Sequence, residues 1–228
     1  MEDIRERRLE SELRATWSAR KDVVVKVITQ YVDSLPHNSI HPSKGYISNL
    51  DAFKTIYLDT PLEETLTQEH FNDAVLSIPK YTDEWRAAKD KELVELIKPQ
   101  RPDVSISDLS LATTVFKCGT CSQTIRYPYV LIHDHRWGSN HPTENTHLRN
   151  LWDELQFHEQ HWEYRNEYSE AIAMAIRECG LDPNVVTAAE MDGLNPFFEC
   201  TRTDGVFTER WVVRWCSLAR LSVIMFAY

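Results

Sequence analysis

The sequence predicts a predominantly helical α+β protein, and three observations predict it. Apolar residues recur at three- and four-residue steps over long stretches with no Gly or Pro to interrupt them, as an amphipathic helix requires. The chain has 6 Gly in 228 residues, few for an all-β protein built on many tight turns. Strand-like runs rich in β-branched and aromatic residues are confined to the second half. With 42 % hydrophobic residues and 7 Trp, the chain can bury a sizeable core, roughly 70 % of its unfolded surface at this length. The expected organisation is a helical module over residues 1–107, followed over residues 108–228 by a small zinc-stapled β unit, a long second helix and a C-terminal hairpin. The two parts form either separate domains or one continuous one.

The first element is a long helix over residues 4–32, carried by Leu9, Leu13, Trp17, Val24, Val27, Ile28 and Tyr31. It reads as core-facing, because the heptad is too short for a coiled coil. A linker with Pro36, His37, His41 and Pro42 follows. Short helices are expected at residues 50–57 and 68–76, the second capped by Thr67. Another, introduced by Thr82 and carried by Trp85, Ala88, Leu93, Leu96 and Ile97, should stop before Pro99.

Residues 108–112 read as a helical turn and residues 113–116 as a strand. Residues 129–135 read as a second strand. A long helix is expected over residues 143–178, with Leu148, Leu151, Trp152, Leu155, Trp162, Ile172, Ala175 and Ile176 on its apolar side and Gly180 as its left-handed cap. Asp182 and Pro183 could start another short helix. Strands at residues 197–201 and 206–215 flank Asp204 and Gly205, a pair that favours a hairpin turn. The end, Leu218 to Tyr228, is almost wholly apolar and needs covering.

A formal net charge of -10 disfavours nucleic acid as a partner, since phosphate neutralisation by Lys and Arg supplies most of that affinity. No apolar run approaches the roughly 20 residues of a membrane span, and residues 1–8 lack the apolar segment of a signal peptide. These features point to an intracellular protein, cytoplasmic or nuclear. Five cysteines suit no complete disulfide framework, which favours metal or redox use of the closely spaced pair.

That pair, Cys118 and Cys121, stands in the run FKCGTC and is followed by His133 and His135. Zinc takes tetrahedral thiolate and imidazole ligands, and a C-x2-C turn supplies two of them from one loop. Gly119 leaves room for backbone amides to turn towards the sulfurs. On a strand, His133 and His135 leave the same face, so both can lean towards one ion. Cys118, Cys121, His133 and His135 thus make a complete Cys2His2 set, a structural zinc knuckle. The H-x-H spacing is shorter than in helix-borne zinc fingers, so Cys179 or Cys200 could replace one histidine. Two other readings are buried free cysteines with surface histidines and a thioredoxin-like redox pair. The latter places its first cysteine at a helix N-terminus, and residues 122–128 do not read as helix.

A second constellation, His147, Glu154, His158 and His161, falls near one face of the long helix. It departs from H-E-x-x-H, because His158 and His161 are three apart rather than four. P-loop, G-x-S-x-G and dinucleotide-binding patterns are also missing from the sequence. No catalytic residue is therefore assigned.

Several segments together resemble a family of uncharacterised basidiomycete fungal proteins, often attached to an N-terminal F-box. They are residues 108–121 (DLSLATTVFKCGTC), 127–133 (YPYVLIH), 179–183 (CGLDP), 187–192 (TAAEMD) and 198–200 (FEC). The family commonly has a cysteine two residues after the histidine, where this chain has His135, an exchange that keeps a ligand. It also implies a second C-x2-C starting at Cys200, followed by Trp and His. Here the partner position is Thr203 and no histidine follows Trp215, so that second site is eroded unless Cys179, Cys200 and Cys216 assemble with an outside ligand. The resemblance brings presumed zinc and no catalytic residues. No F-box pattern stands in the first hundred residues, so an adaptor role does not carry over.

The leading functional expectation is a non-catalytic protein-interaction protein with structural zinc and an unidentified protein partner. The alternatives are a metal-dependent hydrolase using the histidines of the long helix, and a nucleic-acid-binding finger disfavoured by the acidic charge.

Overall fold

The structure, a computed structural model, describes residues 2–133, 162–203, 208–215 and 217. It is predominantly helical with small antiparallel sheets, the α+β class expected from the sequence. The described residues fall into two compact units that divide between Arg86 and Ala87.

The first unit is helical. Helix α1, Glu2–Ser34, is the long helix that the apolar spacing requires. Its burial is uneven: Val24, Val27 and Ile28 are in the core, whereas Leu9 is 59 % exposed. Among the described residues, the core face expected of the whole helix runs from Trp17 onwards and does not reach Leu9. Helix α2, Lys44–Ser48, begins after Ser43, whose hydroxyl accepts the Tyr46 amide at 3.4 Å. Helix α3, Asp51–Asp59, buries Phe53 and Tyr57. Phe53 stacks on Phe71 with ring centroids 5.7 Å apart, and Ile47, Ala74 and Ile78 complete the cluster.

One buried cation ties this unit together. Arg20, 3 % exposed, donates to the carbonyls of Tyr57 at 2.9 Å and Thr60 at 2.8 Å, and also to that of Pro61. Carbonyls at a helix C-terminus have no intrahelical donor. The guanidinium supplies one at the end of α3, while its face lies 5.4 Å from the Trp17 ring.

A 3-10 turn at Gln68–Phe71 leads into α4, Asn72–Ile97. The Thr67 amide donates to His70 Nδ1 at 3.1 Å, so that nitrogen carries no proton and Nε2–H faces Glu64 at 3.3 Å. The two helices expected over residues 68–97 are one, because α4 runs through Pro79. Thr82 is no cap; its hydroxyl donates to the Ile78 carbonyl inside the helix. The part of α4 after Arg86 belongs to the second unit.

That unit holds a three-stranded antiparallel sheet of order β2-β1-β3. Its strands are β1 Val115–Cys118, β2 Thr124–Arg126 and β3 Trp162–Tyr164. Strand β3 corrects the expected helix over residues 143–178: helix α5 begins only at Asn166 and ends at Glu178. Trp162 to Tyr164 are extended because they pair with β1, Cys118 opposite Trp162 and Phe116 opposite Tyr164. Arg165, at the N-cap of α5, makes no side-chain cap bond. Gln100 does that work from a distance, accepting the Asn166 amide at 2.9 Å and donating to the Tyr164 carbonyl at 2.8 Å. At the other end Gly180 has φ 74°, the left-handed cap expected there.

Asp182 starts no helix; its carboxylate accepts the Asn184 amide at 2.9 Å in a local turn. The helix comes later, as α6, Ala188–Leu194, after a reciprocal cap between Thr187 and Glu190 at 2.7 and 3.2 Å. Strands β4 Phe197–Thr203 and β5 Thr208–Arg214 form the expected hairpin. The Asp204 and Gly205 turn and the apolar end from Leu218 lie outside the described residues. Val115, Ile172, Ile176, Met191 and Trp215 build the core. Asp192 joins two of its borders, taking the Trp215 indole N–H at 2.9 Å and pairing with Arg126 at 3.0 Å. Among the described residues, no helix is long and apolar enough to cross a membrane.

Candidate metal centre

Strand β1 ends on Cys118 and the return strand β2 starts at Thr124, so residues 119–123 are the connecting loop. Two backbone bonds close it: the Cys118 amide donates to Gln123 O and the Ser122 amide to Cys118 O, each at 2.8 Å. Closing the loop this tightly puts Ser122 at φ 60°, a left-handed conformation that L residues other than Asn and Asp seldom adopt. The consequence is that amides turn inwards. Thr120 N–H donates to Cys118 Sγ at 3.4 Å, and the Gln123 amide bonds the Cys121 sulfur. Each sulfur therefore meets the N–H two residues further on.

The third donor arrives through a 3-10 turn at Tyr129–Ile132, not a strand. Val130 and Leu131 are buried side by side while Tyr129 and Ile132 are exposed, a pattern that strand alternation forbids and a tight helical turn permits. The strand expected over residues 129–135 is thus a 3-10 turn over its first four residues, and His135 lies outside the described residues. His133 nevertheless returns to the loop: its Nε2 lies 3.3 Å from Cys121 Sγ. Cys118 Sγ, Cys121 Sγ and a His133 ring nitrogen all lie within 4.8 Å of one another, and this group could hold a metal ion. A tetrahedral zinc with bonds of about 2.0–2.3 Å sets its ligand atoms about 3.5 Å apart, so one ion can reach all three.

The environment differs between the two sulfurs. Cys118 is fully buried and Cys121 is exposed. Partial burial of its sulfur pushes the Cys121 thiol up, the neighbouring Cys118 thiol adds to the rise, and the Gln123 amide works against it. Without a cation, two thiols this close resist double ionisation; a divalent ion removes that conflict. The His133 ring packs on Trp162, centroids 5.4 Å apart at 58°, which limits the positions the imidazole can take.

Of the residues singled out in the sequence, Cys118, Cys121 and His133 come together. Cys179 is an exposed residue at the C-cap of α5 and does not join the group. Cys200 lies on β4, with its backbone opposite Trp211. His135, Cys216 and the constellation of His147, Glu154, His158 and His161 lie outside the described residues. Trp162 was placed on a helix by its apolar spacing; the alternation of Trp162, Glu163 and Tyr164 is too short a signal to outweigh it, and pairing with β1 decides the strand. Neither a protein-family model, nor a curated protein, nor a solved structure matches this chain.

Proposed function

We propose that Cys118, Cys121 and His133 bind one structural zinc ion, with His135 as the fourth ligand, in a non-catalytic protein that acts by binding another protein inside the cell. The observation that carries the metal reading is the approach of three donor atoms to within 4.8 Å, two of them from a loop whose amides face the sulfurs. Zinc suits this donor set, since soft thiolates with imidazole select it over hard-oxygen cations such as Mg²⁺ or Ca²⁺. Four protein ligands leave no open position for a reacting water, which is the mark of a structural rather than a catalytic site. Such an ion contributes about 10 kcal/mol or more to folding its local unit. An acidic chain with a formal charge of -10 disfavours nucleic acid as the partner. The resemblance to the basidiomycete family belongs to the same proposal and agrees with a zinc-bearing, non-enzymatic role.

Metal analysis of the purified chain tests it. About one equivalent of zinc is expected, lost in the Cys118→Ser, Cys121→Ser double variant and reduced in His133→Ala and His135→Ala. Metal-free wild-type protein with unchanged stability would reject the reading. An exchangeable water on the bound metal, seen in the absorption spectrum of a cobalt-substituted sample, would replace the structural role by a catalytic one.

A further inference from the structure

We infer that the C-x2-C loop is an oxidation-sensitive latch: peroxide converts the Cys118 and Cys121 ligand pair into a disulfide and expels the metal. This rests on the metal reading above and adds regulation to the same site.

The two sulfurs differ in the way a peroxide-responsive pair requires. Cys121 is exposed at the loop, whereas Cys118 is fully buried at the end of β1 and lies within 4.8 Å of it. An oxidant therefore reaches Cys121 first, and the second sulfur is held behind it as the resolving group. The Ser122 amide bond to the Cys118 carbonyl at 2.8 Å closes a turn that contains both cysteines. Their sulfurs already lie within 4.8 Å of each other, and two residues three apart in one tight turn fall in the range of Cα separation, below about 7 Å, that a disulfide demands. Histidine ligands are unchanged by this step, but without the two thiolates they hold zinc far more weakly than the full set does.

The chemistry balances with hydrogen peroxide as the named oxidant. Cys121 thiolate attacks one peroxide oxygen, breaking the O–O bond, and one proton from solvent completes sulfenic acid and water. Cys118 thiolate then attacks the Cys121 sulfur and forms the S–S bond; hydroxide leaves and takes up a second proton as water. Two thiolates, one peroxide and two protons become one disulfide and two waters. Two electrons pass from sulfur to oxygen, and the zinc ion leaves as Zn²⁺, its oxidation state unchanged.

The test uses the full chain carrying its zinc, with Cys179→Ser in a parallel sample so that the exposed Cys179 offers no competing thiol. Zinc is quantified first; hydrogen peroxide is then added and release is followed with a chromogenic chelator. Trypsin cleaves after Lys117 and Arg126, which puts both cysteines in one peptide, residues 118–126. Stoichiometric zinc release, with that peptide two mass units lighter before reduction and zinc rebinding after dithiothreitol, is the expected result in both samples. A chain without zinc before peroxide overturns the metal reading and this inference with it. A zinc-loaded chain that keeps its metal under peroxide, or whose Cys121 passes to sulfinic acid with no 118–121 disulfide, overturns the inference alone. Abolition of release in Cys179→Ser would likewise overturn it, by assigning the oxidation to Cys179.

Discussion

Trp162 stands opposite Cys118 in the β1–β3 ladder, and its ring lies 5.4 Å from that of His133. One residue thus borders a buried sulfur through the backbone and an imidazole through its side chain. Neither relation is local in sequence.

Truncating that residue should loosen the metal without removing a ligand. In Trp162→Ala the imidazole loses its packing partner, and zinc affinity is expected to fall about 10–100-fold, as when groups supporting metal ligands are removed. Trp162→Phe keeps a ring and should stay within a few-fold of wild type. Competition against a chelator of known affinity measures both. Equal affinity in Trp162→Ala and wild type would show that the ring contact does not position His133.

Chelating the metal should leave a local signature. The amides of Thr120 and Gln123 point at sulfur because the loop is closed around Cys118 and Cys121. Without the cation nothing holds the two sulfurs at a fixed separation, and the loop that carries those amides loses its staple. Hydrogen exchange after treatment with a strong chelator is expected to quicken in residues 118–126 while the helices of the first unit keep their protection. Uniform exchange in both states would contradict a stapling role.

The fold class and the hairpin were legible because each follows from short-range pattern: apolar steps of three and four, and two strands separated by turn residues. The cysteine loop was legible for the same reason, since C-x2-C carries its geometry within four residues. What the sequence misplaced depends on distant pairing. Trp162, Glu163 and Tyr164 lie near helical spacing, and only the edge of β1 makes them a strand. Val130, Leu131 and Ile132 have strand propensity, and only the burial of two neighbours makes them a 3-10 turn. His133 reaches Cys121 along a different backbone path from the one expected, because its side chain needs only the right endpoint.

Arg20 offers a test of the first unit independent of metal. Its guanidinium serves several carbonyls in and beyond the last turn of α3 at once, and a lysine, with one compact ammonium, cannot span them. Arg20→Lys should cost about 1–3 kcal/mol, and Arg20→Ala more, since it also exposes unpaired buried carbonyls. Urea unfolding followed by far-UV circular dichroism measures this. Stability within error of wild type in Arg20→Ala would remove the clamp from the account of this unit.

Asp192 takes the Trp215 indole N–H and pairs with Arg126, whose guanidinium also lies 4.9 Å from the Trp215 ring. Because the Arg126 side chain is only 12 % exposed, Asp192→Ala leaves a largely desolvated cation facing an indole donor without an acceptor. A loss of about 3 kcal/mol is expected. Replacing Arg126 by Met in the same chain removes the stranded charge, so the double variant should be more stable than Asp192→Ala alone. Strict additivity of the two substitutions would mean that Arg126 and Asp192 do not interact.

The carboxylate of Asp108 caps a 3-10 turn, Ile106–Ser110, and makes stability depend on acid. It accepts the Ser105 hydroxyl at 2.6 Å and the Ser105 amide at 2.7 Å. The hydroxyl bond holds its pKa below the usual 3.8 despite partial burial, with the Ser105 amide and Arg101 adding to the effect. A carboxyl whose pKa is depressed on folding stabilises the native state above its unfolded value, and that contribution disappears as pH falls through the folded value. Asp108→Ala should therefore cost about 0.5–2 kcal/mol at pH 7, the range for losing a helix cap. The gap to wild type should shrink as the solution is acidified below the ordinary carboxyl range. Urea midpoints of both chains across a pH series measure it, and a gap that stays constant into acid would assign the loss to packing instead of charge.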